Sequence, residues 1–296
     1  MKILITGAGG QLGQTIMNST HDMDHELFFT ARKPDMTSVR RCLPIDITDK
    51  EQVCKFLSDN SVDVIINCAG YTDVAKAETD SAEAFRINAE AVANLADAAR
   101  QYDALLVHIS TDYVFDGKSS VPYKEDDKAE PVNEYGRSKL AGEQAVLQSG
   151  CRYMIFRTSW LYSIYGRNFF KTIMNKADEN SSINVVSDQV GTPTYAGDLM
   201  EALFHIIDEG MTDKVGVYNF TNEGVCSWYD FAKQICAETG SLCEVMPCST
   251  REYPSNVIRP SYSVLDKARF KDAFRMDIPH WKDSLSYCVS ELEKFG

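Results

Sequence analysis

Tyr135 and Lys139 stand four residues apart in the run Tyr135-Gly136-Arg137-Ser138-Lys139. On a helix that spacing puts both side chains on one face. A free tyrosine titrates near ~10, too high to exchange protons readily at neutral pH. An adjacent ammonium stabilises phenolate, so the pair reads as a general acid/base in which Lys139 can also hold the ribose of a nicotinamide. Thr111, in Ser110-Thr111-Asp112, offers a hydroxyl to the same substrate oxygen. The chemistry that needs such a set is protonation of a carbonyl oxygen as hydride reaches its carbon. The bland reading is a solvated Tyr/Lys pair on an amphipathic helix.

A second constellation lies at the N-terminus, Gly7-Ala8-Gly9-Gly10-Gln11-Leu12-Gly13. It follows the apolar run Lys2–Thr6 and opens a helix through Gln14-Thr15-Ile16-Met17. Small residues there let the backbone approach a pyrophosphate, and the new helix presents free N–H groups and its positive end. The spacing is Gly7-x-x-Gly10-x-x-Gly13, not strict Gly-x-Gly-x-x-Gly. Gly7, Gly10, Gln11, Leu12 and Gly13 are therefore candidate dinucleotide contacts, against the alternative of a tight turn without ligand. An NAD-selective site carries a carboxylate after the second strand. Here Thr30-Ala31-Arg32-Lys33 stands at that place, with Asp35 further along. Arg32 and Lys33 suit a 2′-phosphate, so NADPH is expected ahead of NADH, against the alternative that both side chains are simply solvated. Asp46 and Ile47, at the end of the predicted third strand, are placed to flank an adenine.

Glu26–Thr30, Leu43–Asp46, Val62–Cys68, Leu105–Ile109 and Tyr153–Arg157 read as further strands. Thr48 with Glu51 three residues on reads as a helix start, and Ala82–Gln101 as one long helix. A charged, proline-containing loop, 116–131, leads to a helix beginning near Asn133. Alternating strands and helices imply a doubly wound parallel, Rossmann-type α/β sheet. Residues 1–160 are expected to form the dinucleotide domain, with a strand returning near 216–220. Residues 161–296 would then be mainly a smaller, partly interleaved substrate lobe. Phe169–Ala177, Tyr195–Asp208 and Trp228–Thr239 look helical there, and Ser261–Phe295 mixes short helices with aromatics.

Bulk composition bounds the function. The chain has 296 residues, with 43 acidic against 30 basic side chains and a formal net charge of −13. That excess argues against a nucleic-acid partner, while leaving room for an anionic small substrate at a helix N-terminus or an arginine. No apolar run reaches the ~18–20 residues of a membrane span. The chain enters a strand at Lys2–Ile5 without a signal-peptide pattern, so a cytoplasmic protein is expected. Nine cysteines without a Cys-x-x-Cys pair read as reduced thiols, not as a metal site.

Across almost the whole chain these residues resemble the extended short-chain dehydrogenase/reductase superfamily, and within it the dTDP-4-dehydrorhamnose reductase family. The resemblance is carried by Gly10-Gln11-Leu12-Gly13, by Asn67-Cys68-Ala69-Gly70-Tyr71-Thr72 leading to Lys76-Ala77-Glu78, and by Ser110-Thr111-Asp112-Tyr113-Val114-Phe115. It continues through Tyr135–Glu143, Arg157-Thr158-Ser159-Trp160-Leu161-Tyr162, Asn168-Phe169, Asp188–Thr194 and Arg259-Pro260. It implies Thr111, Tyr135 and Lys139 as the catalytic set, with hydride from NAD(P)H delivered to C4 of a 4-keto sugar nucleotide to give dTDP-L-rhamnose. It implies cofactor contacts at Ala69, Gly70, Tyr71 and Thr72, and substrate contacts at Thr111, Asp112 and Trp160. Asn168 and Arg259 would touch the nucleotide diphosphate or serve structure; Trp160 is either a sugar platform or a core anchor. Some relatives are described with Mg2+ at glutamates of a homodimer interface, and no metal ligand is assigned here.

Other readings on the same fold are a 4,6-dehydratase, an epimerase, or a regulatory subunit resembling that of methionine adenosyltransferase. Dehydrating relatives carry Thr-Asp-Glu, whereas Tyr113 follows Thr111-Asp112 here. An epimerase would retain its NAD and show no net turnover of reduced cofactor.

Overall fold

This computed structural model describes residues 1–19, 24–34 and 40–295. Its centre is a seven-stranded sheet built from β1 (Lys2–Thr6), β2 (Glu26–Ala31), β3 (Cys42–Pro44), β4 (Val64–Asn67), β5 (Leu105–Thr111), β6 (Arg152–Thr158) and a returning strand, Gly216–Asn219. The spatial order is returning strand, β6, β5, β4, β1, β2, β3. Every pairing in it is parallel. Such a sheet must be covered on both faces, which explains the near-continuous apolar runs of β4 and β5. Alternate side chains supply the two cores. Ile3, Ile5, Val64, Ile66, Val107 and Phe156 face helices Gln11–Asn18 and Ala196–Asp208. Leu4, Ile65, Leu106 and Ile155 face Val53, Leu57, Val92, Leu95 and Val146 on the other side.

The chain runs outward from β1 to β3, then crosses back to β4 on the opposite flank. That reversal leaves a crevice at the C-terminal ends of β1 and β4, where ligands bind in open parallel sheets. Thr111 ends β5 on the same edge.

A second core lies beyond the sheet. Helices Phe169–Glu179, Trp228–Glu238 and Trp281–Phe295 enclose Phe170, Ile173, Phe231, Ile235, Trp281 and Leu285. A parallel pair, Ser182–Val186 with Glu244–Cys248, flanks them. Residues after 160 do not all stay in this lobe. The helix Ala196–Asp208, the strand Gly216–Asn219 and the helix Ala268–Phe274 return to the main sheet.

Several elements differ from their sequence-based outline. Asp49, not Thr48, caps the Lys50–Asn60 helix, its carboxylate accepting from the Gln52 amide at 3.1 Å. Thr48 is instead held by Asp46, which accepts from its amide and hydroxyl. β3 stops at Pro44, so Asp46 and Ile47 sit in the loop after it. The expected single helix over Ala82–Gln101 is a helix Ser81–Phe85, a π turn Arg86–Glu90 and a helix Ala91–Gln101. The C-terminal stretch holds a 15-residue helix, Trp281–Phe295. The strands Ser182–Val186 and Glu244–Cys248 were not among the elements expected from the sequence, although Ser182-Ile183-Asn184-Val185 alternates polar and apolar.

Candidate active site

The glycine loop closes on the crevice through backbone proximity. Gly7 has φ +66°, and a Cβ there would lie 2.5 Å from the Ala69 nitrogen. A side chain at Gly13 would strike the Gly7 carbonyl at 2.4 Å. Both glycines thus bring the loop against the end of β4 and the first helical turn. Gly9 instead faces open space. The resulting groove, of about 230 Å³, is lined by Gly7, Gly9, Gly10, Ala31, Arg32, Ile45, Asp46, Ile47, Thr48, Cys68, Ala69, Gly70 and Ile87. A cradle that a Cβ would fill, beside a helix N-terminus, fits a dinucleotide pyrophosphate.

Among the residues expected at the cofactor, Gly7, Gly10, Arg32, Asp46, Ile47, Ala69 and Gly70 line this groove. Leu12 points into the core. Gln11 spans to the second lobe, donating to the Leu161 carbonyl at 3.2 Å and accepting from the Asn168 amide at 2.8 Å. Tyr71 and Thr72 follow Gly70 in the adjoining loop, where the Tyr71 hydroxyl donates to Asp80 at 3.2 Å. Asp35 lies outside the described residues.

Tyr135 and Lys139 ride on the helix Glu134–Ser149. Asn133 caps it, accepting from the Gly136 amide at 2.8 Å and donating to the Ile258 carbonyl at 2.9 Å. Two glycines let this helix dock closely. A Cβ at Gly136 would sit 2.2 Å from the Tyr113 carbonyl oxygen, and one at Gly142 would sit 2.1 Å from that of Asn88. The Tyr135 ring meets Tyr113 edge-on at 5.6 Å.

Asn88, in the π turn, was not singled out by the sequence. Its side chain accepts from the Tyr71 amide at 2.8 Å, donates to the Tyr71 carbonyl at 3.0 Å and donates to the Ser138 hydroxyl at 2.9 Å. It therefore clamps the Gly70–Thr72 loop to the Glu134–Ser149 helix next to Lys139. A π turn adds a residue to one helical turn and rotates the side chains around it, which is how one amide reaches both elements.

Electrostatics assign the proton states. Burial pushes the Tyr135 phenol well above its ordinary value, with the Thr111 hydroxyl working against that rise and the Asp112 and Tyr113 charges adding to it. The expected acidification of Tyr135 by Lys139 is absent from this arrangement. Lys139 Nζ is turned to the Ile109 carbonyl, donating at 2.6 Å. Burial lowers its pKa to about 8, partly offset by the Glu143 carboxylate. Asp112, also buried, is raised to about 7 by desolvation, against hydrogen bonds from Ser263 and Thr111. The Thr111 hydroxyl donates to Asp112 Oδ1 at 3.0 Å, while Oδ2 has no partner among the described residues.

Behind the site, Asn67 accepts from the Thr6 hydroxyl and the Ala69 amide, which fixes its oxygen. Its nitrogen therefore donates to His108 Nδ1 at 3.0 Å and leaves the proton of that neutral imidazole on Nε2. Desolvation, with the Lys139 charge adding, holds His108 well below the usual histidine range.

On the lobe side, Trp160 adopts φ +48°, a left-handed backbone costly for a bulky residue. Its ring stacks on Trp228 with centroids 3.5 Å apart. Asn168 caps the Phe169–Glu179 helix through Lys171 and donates to Gln11 and to the Ser163 and Tyr165 carbonyls. Its amide is thus engaged by the chain itself. Arg259 reaches the Tyr113 hydroxyl at 3.2 Å, adjoining the Tyr135 ring. No group of three or more His, Cys, Asp or Glu among the described residues is arranged to hold a metal ion.

A parallel sheet with a glycine-lined crevice and a helix carrying Tyr135 and Lys139 packed beside it defines an oxidoreductase of the short-chain dehydrogenase/reductase type. The family profile described as "RmlD substrate binding domain" matches residues 1–294. A dTDP-4-dehydrorhamnose reductase of Burkholderia thailandensis is 35% identical over 99% of this chain and 99% of its own. The solved dTDP-4-dehydrorhamnose reductase of Clostridium acetobutylicum superposes with a TM-score of 0.90 at 40% identity, covering 99% of this chain and 100% of that one. That of Bacillus anthracis, solved in complex with NADP, gives 0.90 at 36% identity over 98% and 99% of the two chains. The chain belongs to this RmlD family, that of the dTDP-4-dehydrorhamnose reductases.

Proposed function

We propose that the protein reduces the 4-keto group of dTDP-4-dehydro-6-deoxy-L-mannose to give dTDP-L-rhamnose, taking NADPH ahead of NADH. The observation that carries this reading is the half-buried Tyr135 on its helix beside Thr111, at the sheet edge that bears the glycine groove. Bound reduced nicotinamide supplies hydride to C4. The chain's own residues supply the proton and the geometry. Tyr135 gives its phenolic proton to O4, so the carbonyl becomes a secondary alcohol and the phenolate is refilled from solvent. Thr111 donates to the same oxygen and steadies its developing charge. Lys139, cationic below about pH 8, exchanges the Ile109 carbonyl for the nicotinamide ribose and stabilises the phenolate.

In this reading Trp160, held in its strained backbone, presents a ring face to the sugar, and Arg259 leaves Tyr113 to meet the diphosphate. Asp112 lies beneath the sugar, and residues 161–296 supply most of the substrate side. Gly7, Gly10 and Gly13 shape the pyrophosphate cradle, with Asp46 and Ile47 at the adenine. The reaction belongs in the cytoplasm, and the protein is expected to work as a homodimer. None of the helices among the described residues is long and apolar enough to cross a membrane.

The test is to incubate purified protein with the dTDP-4-keto-6-deoxy sugar and each reduced nicotinamide separately. Sugar-dependent loss of reduced-cofactor absorbance, with dTDP-L-rhamnose as product, is the expected result. Interconversion of sugar isomers without net cofactor consumption would make it an epimerase.

A further inference from the structure

Four charged side chains gather at the open end of the groove. Arg32, just past β2, places Nη1 3.6 Å from Glu83 Oε1. Arg86 holds the same carboxylate in a fork, Nε to Oε2 at 2.6 Å and Nη2 to Oε1 at 2.7 Å. Its third nitrogen, Nη1, donates to the Thr48 hydroxyl at 2.8 Å. Thr48 in turn donates through amide and hydroxyl to Asp46, at 3.0 and 2.8 Å. Arg32, Asp46 and Thr48 line the groove, and Ile87, next to Arg86, joins them. Two guanidiniums thus face two carboxylates, and the four charges sum to zero.

We infer that Glu83 is a specificity-determining residue: by competing for Arg32 it limits the preference for a cofactor bearing a 2′-phosphate over one bearing a 2′-hydroxyl. This rests on the proposed reading of Arg32 as the 2′-phosphate's partner. The geometry makes the competition unequal. Glu83 is fixed by its short bonds to Arg86, whereas the Arg32 contact is long and its side chain more than half exposed. Arg32 is therefore free to turn to a phosphate, but only by leaving a carboxylate that stays in place and repels the same phosphate. A ribose hydroxyl meets no such opposition. Exposed ion pairs are worth little to stability. A fixed anion next to a doubly charged ligand still matters, because the phosphate's charge multiplies the interaction.

The test is cofactor binding to the intact protein without sugar, read by reduced-nicotinamide fluorescence. Glu83→Gln keeps the shape and removes the charge. The ratio of the NADH to the NADPH dissociation constant should rise about three- to tenfold, mostly through tighter NADPH. Raised salt should shrink the difference. Glu83→Asp, which keeps the charge, should stay near wild type. Arg32→Gln should lose the NADPH advantage, and adding Glu83→Gln to it should raise the ratio by less than Glu83→Gln does alone, because only the direct repulsion of the phosphate is then relieved. A ratio unchanged in Glu83→Gln, with Arg32→Gln still losing NADPH, overturns the role of Glu83 alone. A ratio unchanged in Arg32→Gln removes the reading of Arg32 on which it rests.

Discussion

Tyr135 is a phenol that keeps its proton, and that suits a residue whose task is to give one to an arriving alkoxide. Tyr135→Phe should lower turnover by about two to four orders of magnitude while leaving cofactor affinity within a few-fold, measured by steady-state rates and fluorescence titration. Lys139 behaves differently, because its amine titrates near 8. The rate should fall as pH rises through that value, since the neutral amine no longer supports phenolate. Lys139→Met should lose most of the rate together with cofactor affinity. Asp112 gives a stability signature. Its folded pKa of about 7 stands above the ordinary aspartate value, so the folded state holds the proton more tightly. The stability this contributes is fully present below the unfolded pKa and is lost as pH climbs from about 4 to about 7. Urea unfolding at pH 5 and pH 8 should show that loss in the wild type and a smaller one in Asp112→Asn.

At the scale of elements, the site is set by how closely one helix lies against its neighbours. Gly142→Ala drives a methyl into the Asn88 carbonyl and should cost roughly 1–3 kcal/mol in urea unfolding, with activity falling alongside. Asn88→Ala should cost a similar amount, because it leaves the Tyr71 amide without its side-chain acceptor. The strands and the glycine turn were legible in the sequence because their signals are local: apolar runs such as Val64–Asn67, and glycines where no side chain fits. Motif and order bring Tyr135, Lys139 and Thr111 forward as candidates, and the structure puts Tyr135 and Lys139 on one helix, with Thr111 ending β5. Asn88 was not, since the π turn that aims it arises from packing against Gly142 and the Tyr71 loop. Gln11 and Asn168 bind one another across 157 positions of chain, a pairing that no local pattern announces. The cap at Asp49 differed by one residue because Thr48 is claimed by Asp46.

Over the whole molecule, one buried ion pair ties the Glu134–Ser149 helix to the sheet. Arg157 on β6 meets Glu143 through Nε at 3.0 Å and Nη2 at 2.7 Å, and Ser110 donates to the same carboxylate. Arg157→Ala should cost about 3–5 kcal/mol in urea unfolding, because it strands a carboxylate that is 1% exposed. The strand Gly216–Asn219 has a further consequence. The polypeptide leaves the sheet after β6, builds the first helix and strand of the lobe, comes back to lie alongside Met154–Arg157, and then returns to the lobe for Trp228–Glu238, Glu244–Cys248 and Trp281–Phe295. A gene cut after residue 160 would encode a sheet with a raw outer rim and a face stripped of Leu199, Leu203 and Phe270. Such a fragment should precipitate on expression instead of binding nucleotide. Evolution could therefore reshape sugar recognition in this scaffold by altering side chains and loops, but not by trading the lobe as a cassette.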